Sequence, residues 1–283
     1  MQRKRLEDMN LLDDFLFNAV MTFPGIGERF CRLLLQVVLG REIGRLRVVA
    51  QRVFGGRDEE FRGARLDVLA EEDLMDVLAD PAVFDIEPDN NGDVVSLKDL
   101  PKRVRFYHAI IDSRCLKKGE GFGKLKRVFV IFVCSYDPFD RGRMVYTIRN
   151  MCEEVPEMEY DDGLRTVFLN TKGDGAGVPE ELVALLRFME DTREVNAVND
   201  VLRELLEMVR VVKEDGKVTV AYMKSVEIEQ MWINKGIEQG ISQGIEQGRS
   251  EERANTLREK ARADRLEREL RKLRRGKIGR AHV

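Results

Sequence analysis

Two acidic residues lie inside apolar segments that have the composition of β-strands. Asp67 lies in Arg65-Leu66-Asp67-Val68-Leu69, and Glu87 lies in Val83-Phe84-Asp85-Ile86-Glu87. A carboxylate in such a segment is costly to bury unless it is paired, hydrogen-bonded or bound to a cation. Two such segments in succession suggest a hairpin that brings both carboxylates to one point, as an oxygen-ligand site for a hard divalent metal requires. The alternative is that both acids are solvated residues at strand ends.

The composition is that of a soluble globular protein with an acidic body and a basic tail. Of the 283 residues, 43% are hydrophobic and 35% are charged, and the formal net charge is −3. From Arg249 to Lys277 twelve Lys and Arg residues stand against six Asp and Glu, so this tail carries +6 and the remainder −9. A nucleic-acid function would therefore have to rest on local basic patches.

The start of the chain and the spacing of its cysteines both bear on the cellular compartment that we expect. The basic start of the chain is not followed by an apolar signal core, and no apolar segment is long enough to span a bilayer. The four cysteines are widely spaced, with no CxxC pair and no neighbouring histidine, which argues against structural zinc and against a disulfide framework. We therefore expect a cytoplasmic protein with no membrane partner, in which Cys134 is a small core residue.

Apolar periodicity and turn residues predict the order of elements. Predicted helices and strands are, in chain order, helices Leu11–Val20 and Glu28–Leu39, strands Leu46–Phe54, Arg65–Ala70 and Ala82–Glu87, a helix from Leu100-Pro101 to about Cys115, strands Arg127–Cys134, Met144–Met151 and Leu164–Leu169, and helices Pro179–Glu190 and Glu194–Val212. The strand that ends at Cys134 lacks alternation, so we expect it to be covered on both faces. This order predicts the α/β class with a mixed β-sheet.

The tail begins with a four-residue repeat, which runs from Gly236-Ile237-Glu238-Gln239 to Gly248. A period of four keeps the glycines roughly on one helical face with the isoleucines beside them. Each glycine lowers helix propensity by about 1 kcal/mol relative to alanine. The repeat is either a close helix–helix contact that makes a homo-oligomer or a semi-flexible spacer, and the sequence leaves both open.

The rest of the tail is dense in charge. Its leucines do not keep a heptad, so a solvated helix is expected from Arg249 to Lys277 rather than a long coiled coil. The last residues, 278–283, resemble translated sequencing-adapter read-through, and we expect that the natural C-terminus is missing. The predicted organisation is a domain at 1–178, a helical C-terminal portion at 179–234 and an extended tail at 235–283.

Six short motifs occur in order between about Asp13 and Lys172. They are Asp13-Asp14-Phe15-Leu16-Phe17, Gly63-Ala64-Arg65-Leu66-Asp67-Val68, Phe84-Asp85-Ile86-Glu87, Leu100-Pro101-Lys102-Arg103-Val104-Arg105-Phe106-Tyr107, Val130-Ile131-Phe132-Val133-Cys134-Ser135-Tyr136-Asp137-Pro138-Phe139 and Phe168-Leu169-Asn170-Thr171-Lys172-Gly173. Each is weak by itself, but their joint order resembles the PD-(D/E)XK nuclease superfamily, and within it the bacterial recombination-promoting nuclease/putative transposase family. The resemblance implies a restriction-endonuclease-like core, with the mixed sheet flanked by helices.

The resemblance also implies a metal site. Asp67 matches the first strand carboxylate of the family and Glu87 the second; together they would hold Mg²⁺ or Mn²⁺, which polarises a phosphodiester oxygen and lowers the pKa of a bound water. Asp14 matches a helical acid that often completes such sites, through a water or a second metal. The alternative for Asp14 is a helix N-cap or a surface charge.

The third signature position departs from the family pattern. Lys or Gln is usual two residues after the second acid, on the same face of the strand, where it can orient the attacking water. This chain has Asp89 there, which cannot donate a hydrogen bond while ionised. Asp89 is either an additional catalytic acid that helps to bind the metal or the mark of a weakened site. The positive group would then come from Lys98 or Lys102, and we favour Lys102 as the catalytic cation.

The predicted helix after Pro101 carries the candidate DNA contacts. Lys102, Arg103 and Arg105 would bind phosphates, which positions a duplex without reading its sequence. The alternative is a solvated helix end, because Asp99 and Asp112 lie close by. His108 follows on the same helix and is more often a packed residue than a site residue at such a place.

Three hypotheses follow for this chain, which the family resemblance assigns to bacteria. The first is a Mg²⁺-dependent DNA endonuclease of the transposase-associated, recombination-promoting type. The second is a catalytically degenerate DNA-binding or oligomerising module that keeps the nuclease fold, which Asp89 and the acidic body favour. The third is an oligomerising scaffold that works through the Gly236–Gly248 repeat.

Overall fold

The computed structural model describes residues 4–54, 64–72, 81–90 and 92–278. The helices are α1 (Asp14–Thr22), α2 (Gly27–Leu39), α3 (Val94–Cys115), α4 (Glu180–Glu190), α5 (Asp200–Glu214) and α6 (Gly216–Ile278), with short 3-10 turns at Leu6–Asp8, Phe122–Lys124 and Glu194–Asn196. The strands are β1 (Leu46–Phe54), β2 (Ala64–Glu72), β3 (Ala82–Asp89), β4 (Arg127–Cys134), β5 (Val145–Ile148) and β6 (Leu164–Asn170). The predicted α/β class is confirmed.

The strands form one mixed sheet in the order β1-β2-β3-β4-β6-β5. The first three form an antiparallel meander, β3 and β4 are parallel, β4 and β6 are parallel, and β5 is antiparallel to β6. Parallel neighbours need a crossover connection, and α3 supplies it between β3 and β4. The hairpin expected for the two acidic segments is present, because β2 and β3 pair antiparallel.

Helices cover both faces of the sheet. On the face that we call the four-helix face, the sheet residues Val68, Ala70, Phe84, Ile86, Ile131 and Val133 join one core with side chains of α1, α2, α4 and α5. On the α3 face, Val83, Val130, Phe132 and Cys134 join a second core with Leu100, Val104, Tyr107 and Ile111 of α3. Strand β4 contributes to both cores, so the expected cover on both of its faces is confirmed. All four cysteines are free, and Cys134 is fully buried as expected.

Three helices begin three or more residues away from the start that the sequence predicts; among them, α5 starts at Asp200 and not at Glu194, where a separate 3-10 turn lies. Helix α3 starts at Val94, not at Leu100, so Pro101 lies inside the helix rather than in its first turn. The amide of Leu97 already bonds to the Asp93 carbonyl at 3.0 Å, so the helix is established before the proline. Helix α1 starts at Asp14 rather than Leu11.

The end of α2 follows the expectation. Gly40 has φ +61° and donates its amide to the Gln36 carbonyl at 2.9 Å. A left-handed residue costs glycine little and is common just after a helix. The predicted end of this helix at Leu39 is confirmed.

The chain divides into two compact units, Met1–Tyr222 and Met223–Val283. The first contains the sheet with α1 to α5 and the first residues of α6, so the helices at 180–214 share a core with the sheet. The second is the remainder of α6, whose side chains at positions 227–271 are all exposed. The glycine repeat is helical, and the expected solvated helix from Arg249 is confirmed as far as Arg271. Residues 279–283, with most of the suspected read-through, lie outside the described residues.

None of the helices in the described ranges is both long enough and apolar enough to cross a membrane.

Candidate acidic site

The register of the hairpin brings the two predicted acids together. Val68 pairs with Ile86 and Leu69 with Asp85, so Asp67 and Glu87 directly follow the last paired residues at this end of the hairpin. The backbone amide of Asp67 donates to Glu87 Oε1 at 2.8 Å. Asp67 is half-buried, whereas Glu87 is almost fully buried. The hydrophobic pattern fixes this register, because a slip by one residue would move every apolar side chain to the wrong face.

Strand alternation sends the acids of β3 to the α3 face. Val83 belongs to the core on that face, and successive side chains point to opposite sides of a sheet. Asp85, Glu87 and Asp89 therefore point the same way as Val83. All three are at least nine-tenths buried, so each needs a partner or a way to remain uncharged.

Arg103 of α3 bridges two of these acids. Its Nη2 donates to Glu87 Oε2 at 3.0 Å and its Nη1 to Asp89 Oδ2 at 3.1 Å. The side chains of Glu87 and Asp89 are 2% and 7% exposed, and that of Arg103 is 40% exposed. The guanidinium thus contacts both acids while part of the Arg103 side chain remains in solvent.

Two aromatic rings and one hydroxyl hold Arg103 in place. Its Cζ lies 5.4 Å from the centre of the Tyr107 ring and 5.1 Å from that of Phe132. Its Nε donates to the Tyr107 hydroxyl at 3.0 Å. Burial alone would lower the pKa of Arg103, but the Tyr107 hydrogen bond and the charges of Glu87 and Asp89 raise it above its ordinary value. Arg103 is therefore a permanent cation.

Negative charge is in excess around Glu87. Burial, followed by repulsion from Asp67, raises the pKa of Glu87 to about 7, although the Asp67 amide and Arg103 act in the opposite direction. Like charges and low dielectric both disfavour the ionised carboxylate. A cation added beside Glu87 and Asp67 would relieve both effects.

Asp14 belongs to the same electrostatic cluster. Desolvation, and then the charges of Asp67 and Asp89, raise its pKa to about 6. It is the first residue of α1, and its side chain still reaches solvent although the surrounding protein atoms raise the cost of ionising its carboxyl group. Asp14 is therefore neither the N-cap, which is Asp13, nor an isolated surface charge.

Asp85 is an acid of this site that the sequence analysis did not single out. It is fully buried, and neither carboxyl oxygen has a hydrogen-bond partner among the described residues. Burial and the neighbouring Glu87 raise its pKa well above the ordinary value. Its position, two residues before Glu87 in the same apolar segment, was the signal that could have identified it.

Lys102 does not lie against the acids. Its side chain is 73% exposed, and its ammonium pairs with Asp99 at 3.4 Å. The cation next to Glu87 and Asp89 is Arg103, which corrects the expectation that Lys102 supplies the positive charge there. Arg105 is also exposed on α3. The buried side chains of α3 recur with a helical period, and Arg103 borders that stripe, whereas Lys102 and Arg105 lie outside it.

His108 and Asn18 are packed residues. Nε2 of His108 lies 2.9 Å from Oγ1 of Thr166 in β6, and burial lowers the pKa of the imidazole. The interpretation of His108 as a packed residue is confirmed. Asn18 donates Nδ2 to the Asp14 carbonyl at 2.8 Å, so its side chain is bound to its own helix.

The donor chemistry of the site suits a hard divalent cation, whereas a complete cage is absent. Within the ranges that the structure describes, no group of three or more His, Cys, Asp or Glu side chains is arranged to hold a metal ion. Mg²⁺ usually binds one or two carboxylates and completes its shell with water and substrate phosphate. Asp67 and Glu87 meet that requirement, and the buried carboxyl group of Asp85 lies in the same cluster.

Comparisons with models of protein families, with curated proteins and with solved structures give no match to this chain.

Proposed function

We propose that this chain is a Mg²⁺- or Mn²⁺-dependent DNA endonuclease of the PD-(D/E)XK superfamily, of the recombination-promoting, transposase-associated type. The observation that carries the proposal is the meeting of Asp67 and Glu87, joined by the Asp67 amide and Glu87 Oε1 at 2.8 Å. Each acid raises the electrostatic cost of ionising the other, which a divalent cation would offset.

The fold supports the proposal at the level of element order. An antiparallel meander, a helix and a strand parallel to the last meander strand follow one another, and helices lie on both faces. Apolar periodicity predicts the same order, and the motif resemblance implies a restriction-endonuclease-like core for it. The more specific link to recombination rests on the motif resemblance.

The two carboxylates would hold the metal, and Asp14 would contribute through a water or a second ion. A metal bound there would polarise a phosphodiester oxygen and lower the pKa of a water. Asp67 and Glu87 supply the negative charge that retains the ion. Asp14 and part of the Arg103 side chain are exposed, and a phosphate would approach the acids from their side.

Exposed cations on α3 would position the DNA backbone. Lys102 and Arg105 have exposed side chains on the helix that carries Arg103. Such contacts to phosphate give affinity that falls steeply with salt and carry no sequence information. Binding to DNA should therefore weaken as salt increases.

Cleavage of supercoiled plasmid tests the function. We expect nicking that requires Mg²⁺ or Mn²⁺ and that Asp67→Asn lowers by about 100-fold or more, because one of two metal carboxylates is lost. Asp200→Asn is the matched control, since Asp200 has a 98% exposed side chain on α5 and should cut normally. Nicking that persists in Asp67→Asn would assign the activity to a contaminant and remove the proposal.

A DNA-binding module without catalysis is the second candidate, and one observation favours it. Arg103 already neutralises Glu87 and Asp89 in part, as a protein cation would in a site that has lost its metal. This candidate predicts salt-dependent DNA binding with no cleavage under any divalent metal. Measuring both binding and nicking on the same preparation separates the two candidates.

A further inference from the structure

We propose that Arg103 is the catalytic cation of this site and that Asp89 is the residue that positions it. The inference rests on the proposed phosphodiester hydrolysis and assigns two roles within it. In this role Asp89 does not bind the metal, and its presence at the third signature position does not mark a weakened site. Asp89 and Arg103 form an ion pair, and through it the positive charge of the site comes from α3 instead of from β3.

The hydrogen bonds of Arg103 leave part of its guanidinium free to act. A guanidinium carries five N–H groups. Glu87, Asp89 and Tyr107 each accept one in the described structure. The side chain that carries the remaining N–H groups is 40% exposed, and we assign to these groups the contact with an oxygen of water or phosphate.

The direction of the guanidinium is fixed before substrate binds. Tyr107 and Phe132 stack against it, and both rings are buried. A donor held in this way stabilises developing negative charge without having to reorganise, which is the largest electrostatic contribution that a site can make. A flexible surface lysine such as Lys102 offers no comparable fixation.

Asp89 is suited to the role of anchor. A buried carboxylate needs a charged partner, and its Oδ2 has one in Arg103 Nη1. Alternation along β3 sets Asp89 on the same face as Glu87, so one planar guanidinium can span both acids. A lysine at position 89 would meet Arg103 as a like charge, whereas an aspartate fixes it. Asp89, the unusual residue at the third signature position, and Arg103 therefore have complementary charges.

The chemical step is hydrolysis. The oxygen of the attacking water forms a bond to phosphorus and releases its proton to bulk water. The bond from phosphorus to the leaving sugar oxygen breaks, and that oxygen takes a proton from another water. Arg103 stays protonated throughout and donates hydrogen bonds to the non-bridging oxygens, whose charge grows in the transition state.

A set of variants at positions 103 and 89 tests the inference. Arg103→Met should lower the nicking rate at saturating metal by about 100-fold, as loss of one oxyanion donor does elsewhere. Arg103→Lys keeps the positive charge but loses the planar group that can donate to two acceptors at once. It should cut about 10-fold more slowly than the unchanged protein. Lys118→Met, an exposed lysine after α3, is the matched control and should cut normally.

The double variant Asp89→Lys with Arg103→Met should cut at least about 10-fold faster than Arg103→Met alone, because an ammonium then stands two residues after Glu87. A second readout does not depend on cutting. Binding of Mn²⁺ followed by electron paramagnetic resonance should be as tight or tighter in Arg103→Met, since a competing cation is gone. A purely structural role for Arg103 predicts weaker Mn²⁺ binding and no rescue.

The outcomes separate this inference from the function on which it rests. If the unchanged protein cuts, Asp67→Asn does not, and Arg103→Met and Arg103→Lys both cut normally, the function stands and the role of Arg103 is refuted. If Arg103→Met does not fold, Arg103→Lys alone decides, and a normal rate there refutes the role. If the unchanged protein never cuts, the function and this inference fail together.

Discussion

At the level of single residues, the site is defined by which charges meet. Glu87 and Asp89 share one guanidinium, Asp67 reaches Glu87 through its amide, and Asp85 is left without a hydrogen-bond partner for its oxygens in the described structure. This region, which is largely shielded from solvent, therefore contains more carboxyl groups than cationic groups. Burial and like charges disfavour the ionised forms of Glu87 and Asp85, whose pKa values are raised accordingly.

The raised pKa of Glu87 predicts a pH-dependent stability in protein freed of metal with a chelator. Its pKa is about 7 in the folded protein against an ordinary value of 4.5. The folded state therefore favours the protonated acid, and this contribution is complete below about 4.5 and lost as the pH rises to about 7. Glu87→Gln should remove the loss and be more stable than the unchanged protein at pH 8, by roughly 1 to 3 kcal/mol.

Thermal unfolding between pH 5 and pH 8 measures this difference. The matched control is Glu207→Gln, because Glu207 has a 65% exposed side chain on α5 and should leave the slope unchanged. A Glu87→Gln protein that follows the same pH profile as the unchanged chain would show that Glu87 is ionised at no cost. Adding Mg²⁺ should reduce the loss of stability above pH 7 if the metal binds there.

At the level of helices and strands, glycines show where the backbone is constrained. A Cβ added to Gly173 would lie 2.4 Å from Met144 Cα and 2.5 Å from Arg143 carbonyl atoms, so the chain after β6 passes too close to another backbone segment for any side chain. Gly240, in the repeat of α6, has no atom within 4 Å of such a Cβ. The two glycines therefore have different physical roles.

Alanine at these two positions should have opposite effects. Gly240→Ala should raise the helicity and local stability of α6 by about 1 kcal/mol, since alanine has the higher helix propensity. Gly173→Ala should lower the stability of the sheet domain by about 1 to 3 kcal/mol, since backbone atoms must shift. Circular dichroism and hydrogen exchange of α6 measure the first, and chemical unfolding the second. Equal effects at both positions would contradict the close approach at Gly173.

Across the full chain, the acidic site and the glycine repeat belong to different compact units. Every residue of the site lies in Met1–Tyr222, and the repeat lies in Met223–Val283. In the second unit Trp232, Ile237, Ile241 and Ile245 are more than half exposed. Isoleucines four residues apart lie along one side of a helix, and an exposed apolar stripe of this kind is typical of contact surfaces.

Removal of residues 235–283 tests the repeat as a subunit contact. We expect the chain that ends at Asn234 to have fewer subunits in sedimentation equilibrium than the full chain, because the stripe of Ile237, Ile241 and Ile245 is lost. It should still nick DNA, since the site is intact. An unchanged subunit number would identify the repeat as a spacer, and the matched Gln239→Ala variant of the full chain should associate normally.

Much of the fold could be predicted from local pattern. The bounds of β1 and β4 agree with the prediction, and the type of each predicted helix and strand in the described ranges is right, because apolar periodicity reports which face of an element is buried. The predicted start of α3 at Leu100-Pro101 is wrong: proline favours the first turn of a helix, but the apolar residues Val94 and Leu97 already extend the helical pattern before it. The pairing of Asp67 with Glu87 was also predictable, because both lie in consecutive apolar strands.

The choice of cation was beyond local pattern. Lys102, Arg103 and Arg105 are neighbours in the chain, and their spacing does not tell which one reaches the acids. The rotation of α3 about its axis decides, because burying Leu100, Val104 and Ile111 against β4 turns Arg103 toward the strand and Lys102 toward solvent. Composition and periodicity thus determined the helices, the strands and the two acids. The packing of α3 on the sheet decided that Arg103 is the cation that faces those acids.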